Sequence, residues 1–230
     1  MTIGTKMVAV FTSPKKAFEA VAEKPDWLAP LILSILIGIL VTLVVYPSVI
    51  KPLIVEKAME QMRDQGVPDD RIEEAMDVIS GPKMFIITLA QGVITTPILL
   101  LILSGILFGA FSLFSGQARF VQVFSAFAYS GLISSLGGIV KGTLMWTQQS
   151  IHVGTSLALL LSEDMSKTFL FRLLGHFDLF TLWQLVVLII GLSVIYKWKA
   201  SKSAGIVLSL WVLWVLLASL LGGLFRFGVS

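Results

Sequence analysis

The chain has 230 residues, of which 56% are hydrophobic and only 13% charged, with a formal charge of +3 and no cysteine. Together with a mean hydropathy of +0.91, this excludes an ordinary soluble domain, in which roughly a quarter of residues are charged. The lack of cysteine excludes disulfides, thiolate nucleophiles and zinc–thiolate sites. Lys and Arg border apolar runs rather than forming one basic cluster, which argues against nucleic acid as a partner.

The first 27 residues carry Lys15, Lys16, Glu19, Glu23, Lys24 and Asp26, too many charges for a signal-peptide core, so this segment is expected to be retained. Ser13-Pro14 reads as an N-cap followed by proline in a first helical turn. Phe18, Val21 and Ala22 then fall on one face, opposite Lys15, Glu19 and Glu23. The pattern predicts an amphipathic helix at the membrane interface, with Trp27 at headgroup level.

Residues 28–50 form an uncharged run, the first predicted span, with Pro30 tolerated in its first turn and an exit marked by Tyr46-Pro47 and Lys51-Pro52. Residues 51–82 are the strongly charged part. They split at Gly66-Val67-Pro68-Asp69 into two helices, the second capped by Asp69 or Asp70, and predict an extramembrane helical hairpin. With Ile54, Ala58 and Met62 on one helix and Ile72, Ala75, Met76 and Ile79 on the other, the two amphipathic helices are expected to close on each other or to lie against the bundle.

Residues 83–114 form a second span longer than a bilayer needs, kinked at Pro97, whose ring leaves the Val93 carbonyl without its donor. Thr95 and Thr96 are candidates to compensate, and Gly105 and Gly109 to admit another helix closely. A turn at Ser115-Gly116-Gln117 precedes a third span, residues 118–141, closed by Lys141. Ala126, Ser130, Ser134, Gly137 and Lys141 share one face of it. Residues 142–179 read as a long amphipathic connection on the membrane surface. Residues 180–196 give a brief fourth span and residues 203–225 a fifth. The expected fold is thus an all-α, five-span transmembrane bundle with amphipathic interfacial helices and an extramembrane hairpin. Positive charge in the short loops places the N-terminus in the cytoplasm and, with five spans, the C-terminus outside.

Two stretches resemble the Ypt/Rab-interacting-protein family, the YIP domain, in its prokaryotic branch. One runs from Phe11-Thr12-Ser13-Pro14-Lys15-Lys16-Ala17-Phe18 to Lys24-Pro25. The other is Asp178-Leu179-Phe180-Thr181-Leu182-Trp183-Gln184. The resemblance implies a five-span helical protein with a cytoplasmic N-terminus in a prokaryotic cell membrane. In eukaryotic members it implies small-GTPase binding, hetero-oligomers and vesicle budding. This chain lacks their long N-terminal extension and their Asp-Leu-Tyr-Gly-Pro motif, so GTPase binding is not carried over.

Little chemistry is visible. His152, His176 and Asp178, with Glu163 and Asp164, occupy one connection and are the only candidates for a metal site, at spacings that follow no helical ligand pattern. No nucleophile elbow or phosphate-cradling loop is present. Catalysis and cofactors are therefore not expected. Asp178 reads as an N-cap for Phe180 and Thr181, with headgroup or ion contact beside His176 as the alternative.

The intramembrane polar and small residues Gln91, Thr95, Thr96, Gln122, Ser130, Ser134, Gly138, Lys141 and Gln184 are expected to serve helix packing. The expected role is non-enzymatic association with itself, with other membrane proteins or with lipid. The alternative is a small transporter, channel or lipid-handling protein using the Pro97 kink and the third span's polar face. A metal-dependent membrane enzyme is a third, weaker alternative.

Overall fold

The computed structural model describes residues 1–151, 153–162, 165 and 168–221. Among these the fold is all-helical, with no strand beyond one isolated antiparallel bridge between Ser156 and Asp178. In chain order the helices are α1 (Ile3–Thr12), α2 (Pro14–Glu23), α3 (Leu28–Val45), α4 (Lys51–Asp64), α5 (Asp69–Ser80), α6 (Pro82–Leu113), α7 (Phe120–Gln148), α8 (Phe169–Gly175), α9 (Leu179–Ile195) and α10 (Ala200–Leu221). A π-helical turn, Tyr46–Ile50, joins α3 to α4, and a 3-10 turn, Leu157–Leu160, precedes α8. The chain divides into two compact units: Met1–Ser34, Leu99–Gly137 and Gly154–Ser230 form one, Ile35–Ile98 and Gly138–Val153 the other.

Among the described residues four helical stretches are long and apolar enough to cross a membrane: Leu28–Asp64, Pro82–Leu113, Phe120–Gln148 and Ala200–Leu221. Helix α9 is equally apolar but has only 17 residues. The helix does not stop where the first span is expected to leave the membrane, at Tyr46-Pro47. Pro47 has no amide to give to the preceding turn, so the backbone widens into the π turn and the helix continues into α4. Helix α6 likewise runs through Pro97. The Thr96 hydroxyl donates to the Gly92 carbonyl at 2.8 Å, not to that of Val93.

Several boundaries differ from the sequence reading. The N-terminal region is two helices, because the apolar residues before Ser13 form α1 by themselves. Asp69 and Asp70 do not cap α5; they occupy its first turn, where their charge meets the helix dipole, while Pro68 with its fixed extended backbone holds the cap position. Helix α7 runs past Lys141 to Gln148, and α10 begins at Ala200. The expected end of the fifth span at Phe225 lies outside the described residues.

Four helices end in the same hydrogen-bonded turn, in which a left-handed residue lets the following amide reach back to a carbonyl of the last turn. The bonds are Val67 to Met62, Gly116 to Phe111, Ser150 to Met145 and Trp198 to Ser193. Only the first of these turns has glycine at the left-handed position, Gly66 with φ 72°; the others use Ser115, Gln149 and Lys197 with φ of 64°, 49° and 54°.

In the first unit α1 packs on α2, α2 on α9, and α9 on α10. Ala17, Phe18 and Val21 of α2 are completely buried. Phe18 lies against Gly191 of α9, where an added Cβ would come within 2.9 Å of the ring. Phe11, near the end of α1, meets Trp183 edge-on at 5.9 Å. The two N-terminal helices therefore pack along α9 and not simply at a surface. On α7, Gly137 sits under Phe180 of α9. In the second unit α4 and α5 close on each other around Ile72, Tyr46 tilts over Phe85 at 5.1 Å, and Gly142 makes room for Val41.

Gly191→Ala should destabilise the protein by about 1–3 kcal/mol through overpacking against the buried Phe18 ring. Gly205→Ala, at a site with nothing within 4 Å, should be neutral or stabilising by up to about 1 kcal/mol because alanine favours helix. Thermal unfolding of both variants in detergent checks the contrast, and equal losses would contradict it.

Candidate functional site

Lys6 is the single charged residue of α1 and is 2% exposed. A buried ammonium needs an acceptor for each of its three protons, and Lys6 has them. Its Nζ donates to both Asp26 carboxylate oxygens at 3.1 Å and to the Lys24 carbonyl at 2.9 Å. Asp26 stands in the short link between α2 and α3, and its Oδ1 also accepts from the Tyr129 hydroxyl of α7 at 2.9 Å. Tyr129 is the largest fully buried side chain. The node thus ties α1, the α2–α3 link and α7 together with every partner satisfied.

Gln122 reinforces the same region. Its Nε2 donates to the Ala22 carbonyl at 2.7 Å, while its Oε1 accepts from the Arg119 amide at 2.8 Å, closing the first turn of α7. Trp27 meets Phe124 edge-on at 5.2 Å. Nearby, the turn after α6 and the turn after α9 are joined by rings. Phe111 stacks on Tyr196 at 4.6 Å and on Trp198 at 5.4 Å, and Lys202 Nζ lies 3.4 Å from the Trp198 ring centroid, a cation–π contact. Gly116 is needed there, since a Cβ would come within 2.7 Å of Tyr196.

At the start of α9, Asp178 is 3% exposed and caps the helix. Its Oδ1 accepts from the amides of Phe180 at 3.0 Å and Thr181 at 3.2 Å, and Oδ2 accepts from the Thr155 hydroxyl. Both oxygens are thus engaged inside the protein. One turn further, Ser134 of α7 donates to Gln184 of α9, an interhelical bond of the kind favoured in lipid.

The other residues singled out in the sequence are dispersed. Ser13 holds the cap position of α2 without a side-chain cap bond, Pro14 starts the helix and Trp183 receives Phe11. Gln91, Thr95 and Thr96 are exposed on α6, and Ser130, fully buried, donates to the Phe127 carbonyl of its own helix. Lys141 lies within α7. Nothing comes within 4 Å of a Cβ at Gly105, Gly109 or Gly138; among the described residues, the glycines closely approached by a side chain are Gly116, Gly137, Gly142 and Gly191, while Gly81 meets only the carbonyls of Asp77 and Val78. Of the metal candidates, His152, Glu163 and Asp164 lie outside the described residues, and among the described residues no three His, Cys, Asp or Glu gather as ligands. Reading the sequence missed Lys6, Asp26 and Tyr129. Its available signal was a lone lysine inside an apolar decapeptide.

An all-helical chain with several apolar helices of membrane length and its buried charges paired internally is a multi-pass integral membrane protein. The Yip1 domain matches residues 8–222, and the chain belongs to that family. Membrane protein YknW of Bacillus subtilis (strain 168) is 25% identical to it over 191 residues, which cover 81% of this chain and 76% of YknW. No solved structure matches.

Replacing one partner of the node strands a buried charge. Lys6→Met or Asp26→Leu alone should each lower stability by roughly 3 kcal/mol. The double variant, which leaves no unpaired charge, should lose less than either single one. Unfolding of the three variants in detergent measures the coupling, and strictly additive losses would refute it.

Proposed function

We propose that the protein is a non-enzymatic component of the prokaryotic cytoplasmic membrane that works by lateral association, with copies of itself or with other membrane proteins. The observation that carries this reading is the divided surface of α6. Leu100, Ser104, Leu107 and Phe111 are buried, whereas Gly105, Gly109 and Ser112, at helical spacing on another face, are exposed. Small residues four apart allow two helix backbones to approach closely in lipid, where packing and not the hydrophobic effect drives association. The buried polar groups around the node and the Asp178 cap are occupied in holding helices together, which favours a structural over a catalytic role.

In this reading the chain crosses the membrane five times, with the N-terminus in the cytoplasm and the C-terminus outside. Two features support it. Helix α9, at about 26 Å, is short for a span but lies antiparallel to α7: Gly137 meets Phe180, and Ser134 meets Gln184 four residues on. The turns after α6 and α9 also share the Phe111, Tyr196 and Trp198 cluster, as two loops on one side of a membrane would. Arg119, Lys197, Lys199 and Lys202 are in these turns or close after them, and Lys15 and Lys16 in the helix pair beside them, consistent with positive charge retained inside.

Because the chain has no cysteine, single cysteines report cleanly. Gly105→Cys or Gly109→Cys in native membranes should be trapped by oxidation as a homodimer or by a photo-crosslinker as one reproducible membrane adduct. Gly109→Leu in the Gly105→Cys background should remove the product. Monomer alone under both treatments would end this reading.

A further inference from the structure

A trough of about 940 Å³ runs along the last turns of α9, within the first unit. One wall is apolar, formed by Ile190 and Val194. The rim is charged: Lys15, Glu19 and Glu23 come from α2 and Lys197 from the turn after α9. All four charged residues are exposed, and none is held in an ion pair among the described residues.

Their depth distinguishes this rim from an ordinary solvated surface. In the five-span reading proposed above, on which this inference rests, Tyr196 and Trp198 mark the level where α9 leaves the hydrocarbon. Ile190 is seven residues before Lys197, about 10 Å down the helix axis. Phe18, next to Glu19, lies on Gly191, so in that reading α2 packs beside the last turns of α9 and brings Glu19 and Glu23 to the trough at or below the headgroup level. Charges there require either water or a polar ligand that enters from the bilayer. Lys197 adds a further sign. It occupies the left-handed position of a helix-ending turn, where glycine is the unstrained choice, and it lines the trough.

We propose that this trough seats the headgroup of a phospholipid bearing a primary amine. Lys15 and Lys197 take the phosphate, Glu19 and Glu23 take the ammonium, and the acyl chains lie on Ile190 and Val194. The pairing of both charge signs on one rim selects this class. A quaternary amine has no N–H to give to the carboxylates, and an anionic glycerol headgroup leaves them unpaired beside added negative charge. The proposal is independent of association through α6 and stands or falls separately.

The test uses the full chain purified in detergent and exchanged with equimolar phosphatidylethanolamine, phosphatidylcholine and phosphatidylglycerol of one acyl composition, with retained lipid read by native mass spectrometry. Phosphatidylethanolamine should be retained about tenfold over phosphatidylcholine, the factor carried by one charge-assisted hydrogen bond. Glu19→Gln with Glu23→Gln should abolish that preference while leaving phosphatidylcholine retention unchanged. Lys197→Gly should weaken retention of all three lipids yet raise the Tm, separating loss of the cation from damage to the fold. Water-soluble glycerophosphoethanolamine in excess should not displace the lipid, since it has no chains for the apolar wall. Equal retention of the three lipids, preference for phosphatidylglycerol, displacement by the soluble headgroup, or an unchanged preference in the carboxylate variant would each overturn the proposal.

Discussion

The contact between Lys6 and Asp26, completed by Tyr129, governs how the first thirty or so residues meet the rest of their unit. A lysine in the middle of an apolar helix is costly in hydrocarbon and costly when buried alone, so α1 can pack only where three acceptors await its ammonium. The α2–α3 link supplies them. Once α1 is fixed there, α2 must fold back beside it, which seats Phe18 on Gly191 and turns Lys15, Glu19 and Glu23 outward. The charged rim of the α9 trough is thus carried by the same helix pair that the buried ion pair anchors.

The membrane helices were legible in the sequence because hydrocarbon imposes a one-dimensional requirement, a long run without charges, that any window along the chain reveals. The break at Gly66 was legible for a similarly local reason, since glycine there takes a left-handed backbone. So was the Asp178 cap, whose acceptors and donors are three residues apart at most. The family follows from two short motifs that bracket those same local features.

What escaped the sequence is what depends on distant partners. Lys6 and Asp26 are twenty residues apart and Tyr129 a further 103, and no local pattern signals that they meet. The packing glycines show the same limit. Gly105 and Gly109 have the spacing expected of a helix contact, yet among the described residues the close side-chain approaches are at Gly116, Gly137, Gly142 and Gly191, where an aromatic or valine side chain lands on each. Helix ends escaped in detail for a different reason. Pro47 widens its helix where the span is expected to leave the membrane, and in the turn the sequence marks at Ser115-Gly116-Gln117 it is Ser115 that takes the left-handed position, as Gln149 and Lys197 do in theirs. In each case tertiary packing outweighed a local preference, about 3 kcal/mol for the proline and about 1 kcal/mol for the left-handed residues.

Hydrogen–deuterium exchange on the native protein in lipid nanodiscs tests the central claim most directly, because it reports whether the N-terminal helix pair is held as firmly as the node requires. Amides of α1 and α2, around Val10 and Val21, should exchange as slowly as those in the middle of α9 and far more slowly than those of α4 and α5. Exchange of α1 as fast as in that charged hairpin would show that the ion pair does not anchor it, and would contradict the account.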